Sequence, residues 1–248
     1  MRPTSTQNGE RIYAIGDVHG RLDLLKLLLA RLELHSETLP DNQNMHLILL
    51  GDLVDRGPDS AETLRYVRNL SKQSDQLVTL LGNHEELMLR ALSEEPGMLR
   101  AWSRSGGAET LRSFGFAPPE RGCDEGRYIA QVKAAIPQDW LTWLASLPLS
   151  ASSGDYFFCH AGIRPGTTLK RQARTDLLWI RDDFLDDNSD HGAVIVHGHS
   201  ISREVEVRQN RIGIDTGAYQ SDVLTALYLE GSVRKIISSD ASQAIADA

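Results

Sequence analysis

Five short stretches of the chain enclose residue types that hold metal: Gly16-Asp17-Val18-His19-Gly20, Gly51-Asp52-Leu53-Val54-Asp55-Arg56-Gly57, Gly82-Asn83-His84-Glu85, Cys159-His160-Ala161-Gly162 and His197-Gly198-His199-Ser200. Their donors are oxygen and imidazole with no thiolate pairing, a set that suits manganese, iron or zinc better than copper(I) or an iron–sulfur centre. The chemistry served by such a set is phosphoester hydrolysis. Near neutral pH that reaction needs a strong nucleophile, relief of charge on the phosphoryl oxygens and help for the leaving alkoxide. Two adjacent divalent metals meet the first two needs: they acidify a bound water to hydroxide for in-line attack and clamp the phosphoryl oxygens, and a pair at roughly 3.5–4 Å needs a bridging carboxylate. Asp52 is the candidate bridge. Asp17 and His19, two apart at a strand end, can turn towards one metal, while Asn83, His160 and His199 would hold the other.

His84 directly follows a candidate ligand and is placed to give a proton to the leaving oxygen, with Asp55 able to orient and charge the imidazole. Arg56 comes next, and a planar guanidinium matches two phosphate oxygens. Each motif alone has a plainer reading. Gly-Asp-Val-His-Gly is often a tight turn with an Asp helix cap, Gly-Asn-His-Glu a helix start with Glu85 in a favourable first turn, and a lone histidine a satisfied core group. Their joint appearance in order favours a site. Of the eight histidines, His35, His46 and His191 are assigned to surface or structure, and His197 stays open between strand, supporting position and substrate contact.

At 248 residues and 41% hydrophobic, the chain is long enough for one large domain with a developed core. A formal net charge of −8 argues against nucleic acid, which is bound through basic patches. No apolar run reaches membrane-spanning length and the N-terminus lacks an apolar signal core, so the reading is cytoplasmic, with no membrane partner. Cys123 and Cys159 form no CxxC pair, and Cys159, after Tyr156-Phe157-Phe158, reads as a small buried strand residue.

The elements that must carry these residues are legible in the first ninety positions. Apolar runs at 11–16, 47–51 and 76–81 read as strands, and amphipathic stretches at 23–33, 59–70 and 85–92 as helices. That βαβαβα order implies a largely parallel sheet with its site beyond the carboxyl ends of the strands. Residues 94–148 break the rhythm and read as a helical insertion whose role stays open, a part in the substrate rim being one reading. Strands return at 155–159, 193–196, 211–215 and 223–229. A single domain over 10–238 is expected, with 1–9 and 239–248 as flexible tails.

With GDxHG, GDxVDRG and GNHE standing at Gly16–Gly20, Gly51–Gly57 and Gly82–Glu85, the chain resembles the calcineurin-like metallophosphoesterases, and within them the serine/threonine phosphoprotein phosphatase group. Beyond the motifs it is similar to small bacterial and bacteriophage lambda protein phosphatases at Trp102, Ser105-Gly106-Gly107, Leu147-Pro148-Leu149, Trp179-Ile180-Arg181, Gly198-His199-Ser200 and Ile214-Asp215-Thr216-Gly217-Ala218, over about residues 11–230. The resemblance implies an α/β fold, an αββα sandwich with a dinuclear metal site at the C-terminal ends of the strands. It implies metal ligands at Asp17, His19, Asp52, Asn83, His160 and His199, a general acid at His84 supported by Asp55, and substrate phosphate bound by Arg56 and Arg181 beside Asn83. It also implies two divalent metals, manganese first with iron or zinc as alternatives. Ser200 departs from the threonine more usual in the group.

The leading expectation is a protein phosphatase acting on phosphoserine or phosphothreonine, and potentially phosphotyrosine, in a phosphoprotein or phosphopeptide, with no obligatory regulatory subunit. The first alternative is a diadenosine tetraphosphate hydrolase, whose family resembles Gly-Asn-His-Asp where Glu85 stands here. The second is an inactive phosphoprotein-binding scaffold, which would lack a ligand; none of the six is missing.

Overall fold

The computed structural model describes residues 4–41 and 44–248. The first half alternates as β1 (Arg11–Ile15), α1 (Leu22–Glu37), β2 (Met45–Leu49), α2 (Ser60–Gln73), β3 (Leu77–Thr79) and α3 (Asn83–Leu92). β1, β2 and β3 pair in parallel. α1 forms where Leu24, Leu25, Leu28 and Leu32 recur at helical spacing and bury one stripe. α3 starts two residues before its expected beginning. Gly82 is extended at the N-cap, and the Glu85 carboxylate reaches back to accept the Gly82 N–H at 2.9 Å, the returning half of a capping box. Asn83 and His84 therefore sit in the first helical turn.

Residues 94–148 contain α4 (Met98–Trp102), a π-helical turn at Ser103–Gly107, α5 (Ala108–Ser113), α6 (Glu125–Ala135) and α7 (Gln138–Ala145). After them come β4 (Ser150–Ser153), β5 (Tyr156–Cys159), α8 (Arg174–Trp179), α9 (Asp182–Leu185), β6 (Val194–His197), β7 (Glu206–Val207) and β8 (Arg211–Gly213). The chain closes with α10 (Ala218–Ser221), β9 (Thr225–Glu230), β10 (Val233–Ser238) and β11 (Ala246–Asp247).

Among the described residues the strands form two sheets, ordered β11-β10-β9-β1-β2-β3 and β4-β5-β6-β8-β7. In the first, the parallel strands β1, β2 and β3 run to one edge and the antiparallel strands β9, β10 and β11 continue beyond β1; in the second, the parallel strands β5, β6 and β8 are flanked by antiparallel β4 and β7. Between them Ile12, Ala14, Ile48 and Leu50 meet Tyr156, Phe158, Val196 and Ile212. Helical side chains from α1 to α7 cover the outer face of the first sheet. Leu177, Ile180 and Phe184, on and around α8 and α9, cover that of the second. The layers are α, β, β, α.

Four strands escape the sequence pattern for physical reasons. β4 is Ser-Ala-Ser-Ser and edges the second sheet, β7 and β11 are two residues long, and β10 carries Arg234 and Lys235 and begins on an exposed Val233. The expected tails are tied down where described, while residues 1–3 lie outside the described residues. The Thr6 N–H donates to Gly231 O at 3.0 Å and the Asp155 N–H to Ser5 O at 2.8 Å, so residues 5 and 6 link the turns of two hairpins. At the other end β11 pairs with β10, and Arg31 Nη2 donates to Gln243 O at 2.8 Å. Polar composition hid both anchors because backbone groups make them. No helix among the described residues is long and apolar enough to cross a membrane.

Phe158 is fully buried between the sheets. Phe158→Ala is expected to lower unfolding free energy in urea by about 3–5 kcal/mol; a loss under about 1 kcal/mol would mean the interlayer core relaxes around the cavity.

Candidate metal centre

The motifs follow the carboxyl ends of five parallel strands. Asp17 and His19 come after β1, Asp52 after β2, Asn83 and His84 after β3, His160 after β5 and His199 after β6. Backbone bonds lace the loops together: the Val18 and His19 N–H groups donate to Asp52 O at 3.1 and 2.8 Å, and Gly198 N–H to His160 O at 2.8 Å. Five non-glycine residues here have positive φ: His19 (47°), Asp52 (51°), Asp55 (72°), Arg56 (67°) and His199 (62°). Such a backbone is costly for L side chains and persists where surrounding contacts over-determine it. Gly82 and Gly198 are obligatory for another reason, since a Cβ at either would collide with Asp52 or with Asp17 Oδ1.

Asp52 stands at the centre. Its Oδ2 is 3.5 Å from His19 Nε2 and 3.9 Å from His84 Nε2, and its Oδ1 is 3.5 Å from His160 Nε2. Two buried groups capable of holding a metal ion result, His19-Asp52-His84 and Asp52-His160-His199, and they share that carboxylate. The Asn83 side-chain oxygen joins the second, 2.7 Å from His160 Nε2 and 2.8 Å from His199 Nδ1. Asp17 falls in neither group. It accepts the His199 N–H at 3.1–3.2 Å and lies against Asp215. His197 stands apart too, its ring edge-on to Phe184 and its Nδ1 on Gly198 O.

The donors fit divalent cations. His19 Nδ1 is 2.8 Å from Val54 O, so that nitrogen carries the proton and Nε2 keeps a lone pair; buried Nε2 has no hydrogen-bond partner. His160 Nδ1 likewise donates to Leu50 O at 2.9 Å, turning its Nε2 lone pair towards the Asn83 oxygen, also an acceptor. His199 Nε2 is buried and unpartnered. A cation satisfies lone pairs arranged this way, and backbone carbonyls fix the ring tautomers. Burial lowers His19 to about 3 and His199 to about 2, and lowers His160 as well, leaving these imidazoles in the neutral, ligating form. Burial alone would raise Asp52; the His84 imidazole, itself raised, and the His84 N–H at 3.0 Å work against it and hold the carboxylate below the usual range.

His84 makes a pair with Asp55, Nδ1 to Oδ2 at 2.7 Å. Asp55 also receives Trp102 Nε1–H at 2.9 and 3.0 Å and the Thr110 hydroxyl at 2.6 Å. Burial works to lower His84, but Asp52 and Asp55 outweigh it and the imidazole is raised. The helical insertion thus buttresses Asp55 through Trp102 and Thr110, and fixes Arg56 through its N–H to Gly106 O at 3.0 Å. The sequence leaves the role of this insertion open, and these contacts give it one inside the site. Arg56 lies over the Tyr219 ring at 4.9 Å, and Tyr219 meets His19 edge-on at 5.4 Å. Arg181 is exposed on the other side, close enough for its charge to lower His160 and His199.

Sequence reasoning missed three parts. Glu85 is a cradle: its carboxylate accepts the N–H groups of Asp52, Leu53, Val54 and Gly82 at 2.8–3.2 Å. Burial, then Asp52, pushes it up to about 7 against those donors. Asp215 pairs with Asp17, takes the Gly217 N–H at 2.9 Å and is pushed up to about 6 by burial. Tyr219 carries no motif signal. Cys159 is buried, its thiol raised by desolvation, as a strand residue would be.

A calcineurin-like phosphoesterase family profile matches residues 10–230. The chain belongs to that family. A symmetrical bis(5'-nucleosyl)-tetraphosphatase from Aliivibrio fischeri (strain MJ11) is 36% identical over 155 residues, 62% of this chain and 45% of that protein. The chain spans less than half the length of the curated relatives it matches. A crystal structure of a candidate diadenosine tetraphosphatase superposes with TM-score 0.64 at 20% identity, over 95% of this chain and 98% of that one. A cold-active protein-tyrosine phosphatase of a psychrophilic Shewanella sp. does so with TM-score 0.60 at 19%, over 100% and 83%. At those identities the calcineurin-like fold is what is shared. These curated sequence relatives are symmetrical bis(5'-nucleosyl)-tetraphosphatases, matched over the motif-bearing part of this chain.

Glu85→Ala would leave four inward N–H groups without an acceptor, and should cost at least about 3 kcal/mol in urea unfolding. Stability equal to the parent would show that the loop finds other acceptors.

Proposed function

We propose that this calcineurin-like phosphoesterase is a two-metal hydrolase whose first substrate is a dinucleoside tetraphosphate. The observation that carries the hydrolase reading is the sharing of Asp52 between two ligand groups, an arrangement suited to two cations side by side. When bound, two divalent cations neutralise phosphoryl charge and acidify water. The residues of the chain supply the rest. Asp52 offers one oxygen to each group, His19 to one and Asn83, His160 and His199 to the other; Asp17 is assigned as a ligand from the sequence, while its contacts favour support of the His199 loop. Arg56 and Arg181 flank the centre from opposite sides and suit phosphate oxygens. His84 gives the proton on Nε2 to the leaving oxygen while Asp55 holds Nδ1.

The tetraphosphate substrate is supported by the sequence relationship to tetraphosphatases over the motif-bearing residues. Glu85 does not weigh against it. The sequence difference at that position concerns a fully buried carboxylate whose oxygens are taken up by backbone N–H groups. Phosphoserine or phosphothreonine hydrolysis is the second reading, favoured by exposed Trp179 and Arg181 beside His199, an open edge on which a peptide can lie.

On protein stripped of metal and reloaded with manganese, kcat/KM for diadenosine tetraphosphate is expected to exceed that for a phosphothreonine peptide; the reverse order would install the protein phosphatase reading. His84→Asn should keep both metals, counted by elemental analysis, and lower kcat by roughly 10²–10⁴. Loss of a metal in that variant would instead make His84 a ligand, the role its place beside His19 and Asp52 also allows. Asp52→Asn should lose metal, and an unchanged count would sink its bridging role.

A further inference from the structure

Glu86 follows the cradle residue on α3 and faces another element. Its Oε1 accepts Arg174 Nε at 2.7 Å and its Oε2 accepts Trp179 Nε1 at 2.7 Å. Arg174 and Trp179 are the first and last residues of α8, so one carboxylate grips both ends of that helix. The Glu86 side chain is 13% exposed, against 49% for Arg174, so the acceptor lies deeper than the guanidinium it holds, while the bonds themselves are at the surface. A six-residue helix is too short to support itself. What holds α8 is burial of Leu177 and Leu178, the Ala161 N–H to Leu177 O bond at 2.8 Å, and this grip.

The end that Glu86 holds leads straight to the centre. The Trp179 ring stands edge-on to His199, 6.4 Å between centroids and 81° between planes. Ile180 is buried, and the next residue is Arg181. Glu86 shares α3 with Asn83 and His84. One helix therefore bears ligand, proton donor and the acceptor that sets the arginine's distance from both.

We infer that Glu86 is a positioning residue: by clamping α8 to α3 it fixes Arg181 at the distance from Asn83 and His84 that phosphate binding requires. This rests on the function proposed above, in which Arg181 takes substrate phosphate. Glu86 touches neither the reacting atoms nor Asp52, so its loss acts on binding and leaves proton transfer by His84 alone.

The test uses the full chain loaded with manganese, p-nitrophenyl phosphate as substrate and inorganic phosphate as ligand, the latter followed by calorimetry. Glu86→Ala should raise KM and weaken phosphate binding about tenfold, the scale of a lost charge-assisted bidentate contact, with kcat within about twofold. Trp179→Phe keeps an aromatic side chain, though a smaller one, and removes the N–H donor to Glu86; it should fall between parent and Glu86→Ala. Arg181→Ala should weaken phosphate binding in the parent and add little in the Glu86→Ala background, since both changes remove one function. Additive effects of the two changes, or a Glu86→Ala protein that loses kcat and thermal stability at unchanged KM, overturn the inference. A working parent with an unaffected Glu86→Ala variant overturns it alone. A parent that neither hydrolyses the substrate nor binds phosphate overturns the proposed function and this inference with it.

Discussion

Five carboxylates, Asp17, Asp52, Asp55, Glu85 and Asp215, lie buried in one cluster of loops, and negative charge at that density and depth has to be compensated group by group. Each solves it differently. Glu85 spends its oxygens on four backbone N–H groups; Asp55 takes an indole, a hydroxyl and an imidazole; Asp17 and Asp215 face each other with their protons held more tightly than usual. Asp52 is left among neutral imidazole lone pairs. It is the one shared by the two candidate ligand groups, and the hydrogen bonds of Asp55 and Glu85 hold the loop it stands on.

That assignment of roles explains the strain. The N–H groups from Val18 to Gly20, from Asp52 to Gly57 and of His199 are all committed, which holds His19, Asp52, Asp55, Arg56 and His199 at positive φ, and Gly82 and Gly198 stand where a Cβ would push into Asp52 or Asp17. The helical insertion belongs to the same economy: Trp102 and Thr110 reach Asp55 from a segment with no metal-ligand motif of its own. Rigid support of this kind is what preorganised electrostatics requires, because dipoles that must reorganise during reaction stabilise less.

The buried centre and the more open residues beside it are built by different parts of the molecule. The centre is built from the ends of parallel strands and would serve a phosphoanhydride or a phosphate monoester alike. Beside it, Arg56 leans on Tyr219, and Arg181 follows the α8 helix gripped by Glu86. The fold itself is shared with structures of differently named phosphoesterases, so the fold alone does not fix a substrate.

Much of this was readable in the chain. The period of the apolar residues located β1 to α3, because those elements bury one face or both and composition records burial. The motifs named the donors, since oxygen and imidazole at strand ends among glycines have few other uses. Short or polar strands such as β4, β7, β10 and β11 were not legible: their pairing is made by backbone, which every residue carries. The partners of each carboxylate were not legible either. Glu85 looks like an ordinary first-turn acid, and Trp102 and Thr110 are separated from Asp55 by 47 and 55 positions. The sequence by itself determined which groups are present and which strand each one ends, because local periodicity and donor chemistry are properties of neighbours. Only the tertiary structure decided that Asp52 divides its oxygens between two clusters while Asp17 turns to Asp215. That division arises where two separately hydrogen-bonded sheets meet, and no local pattern sets the distance across their seam.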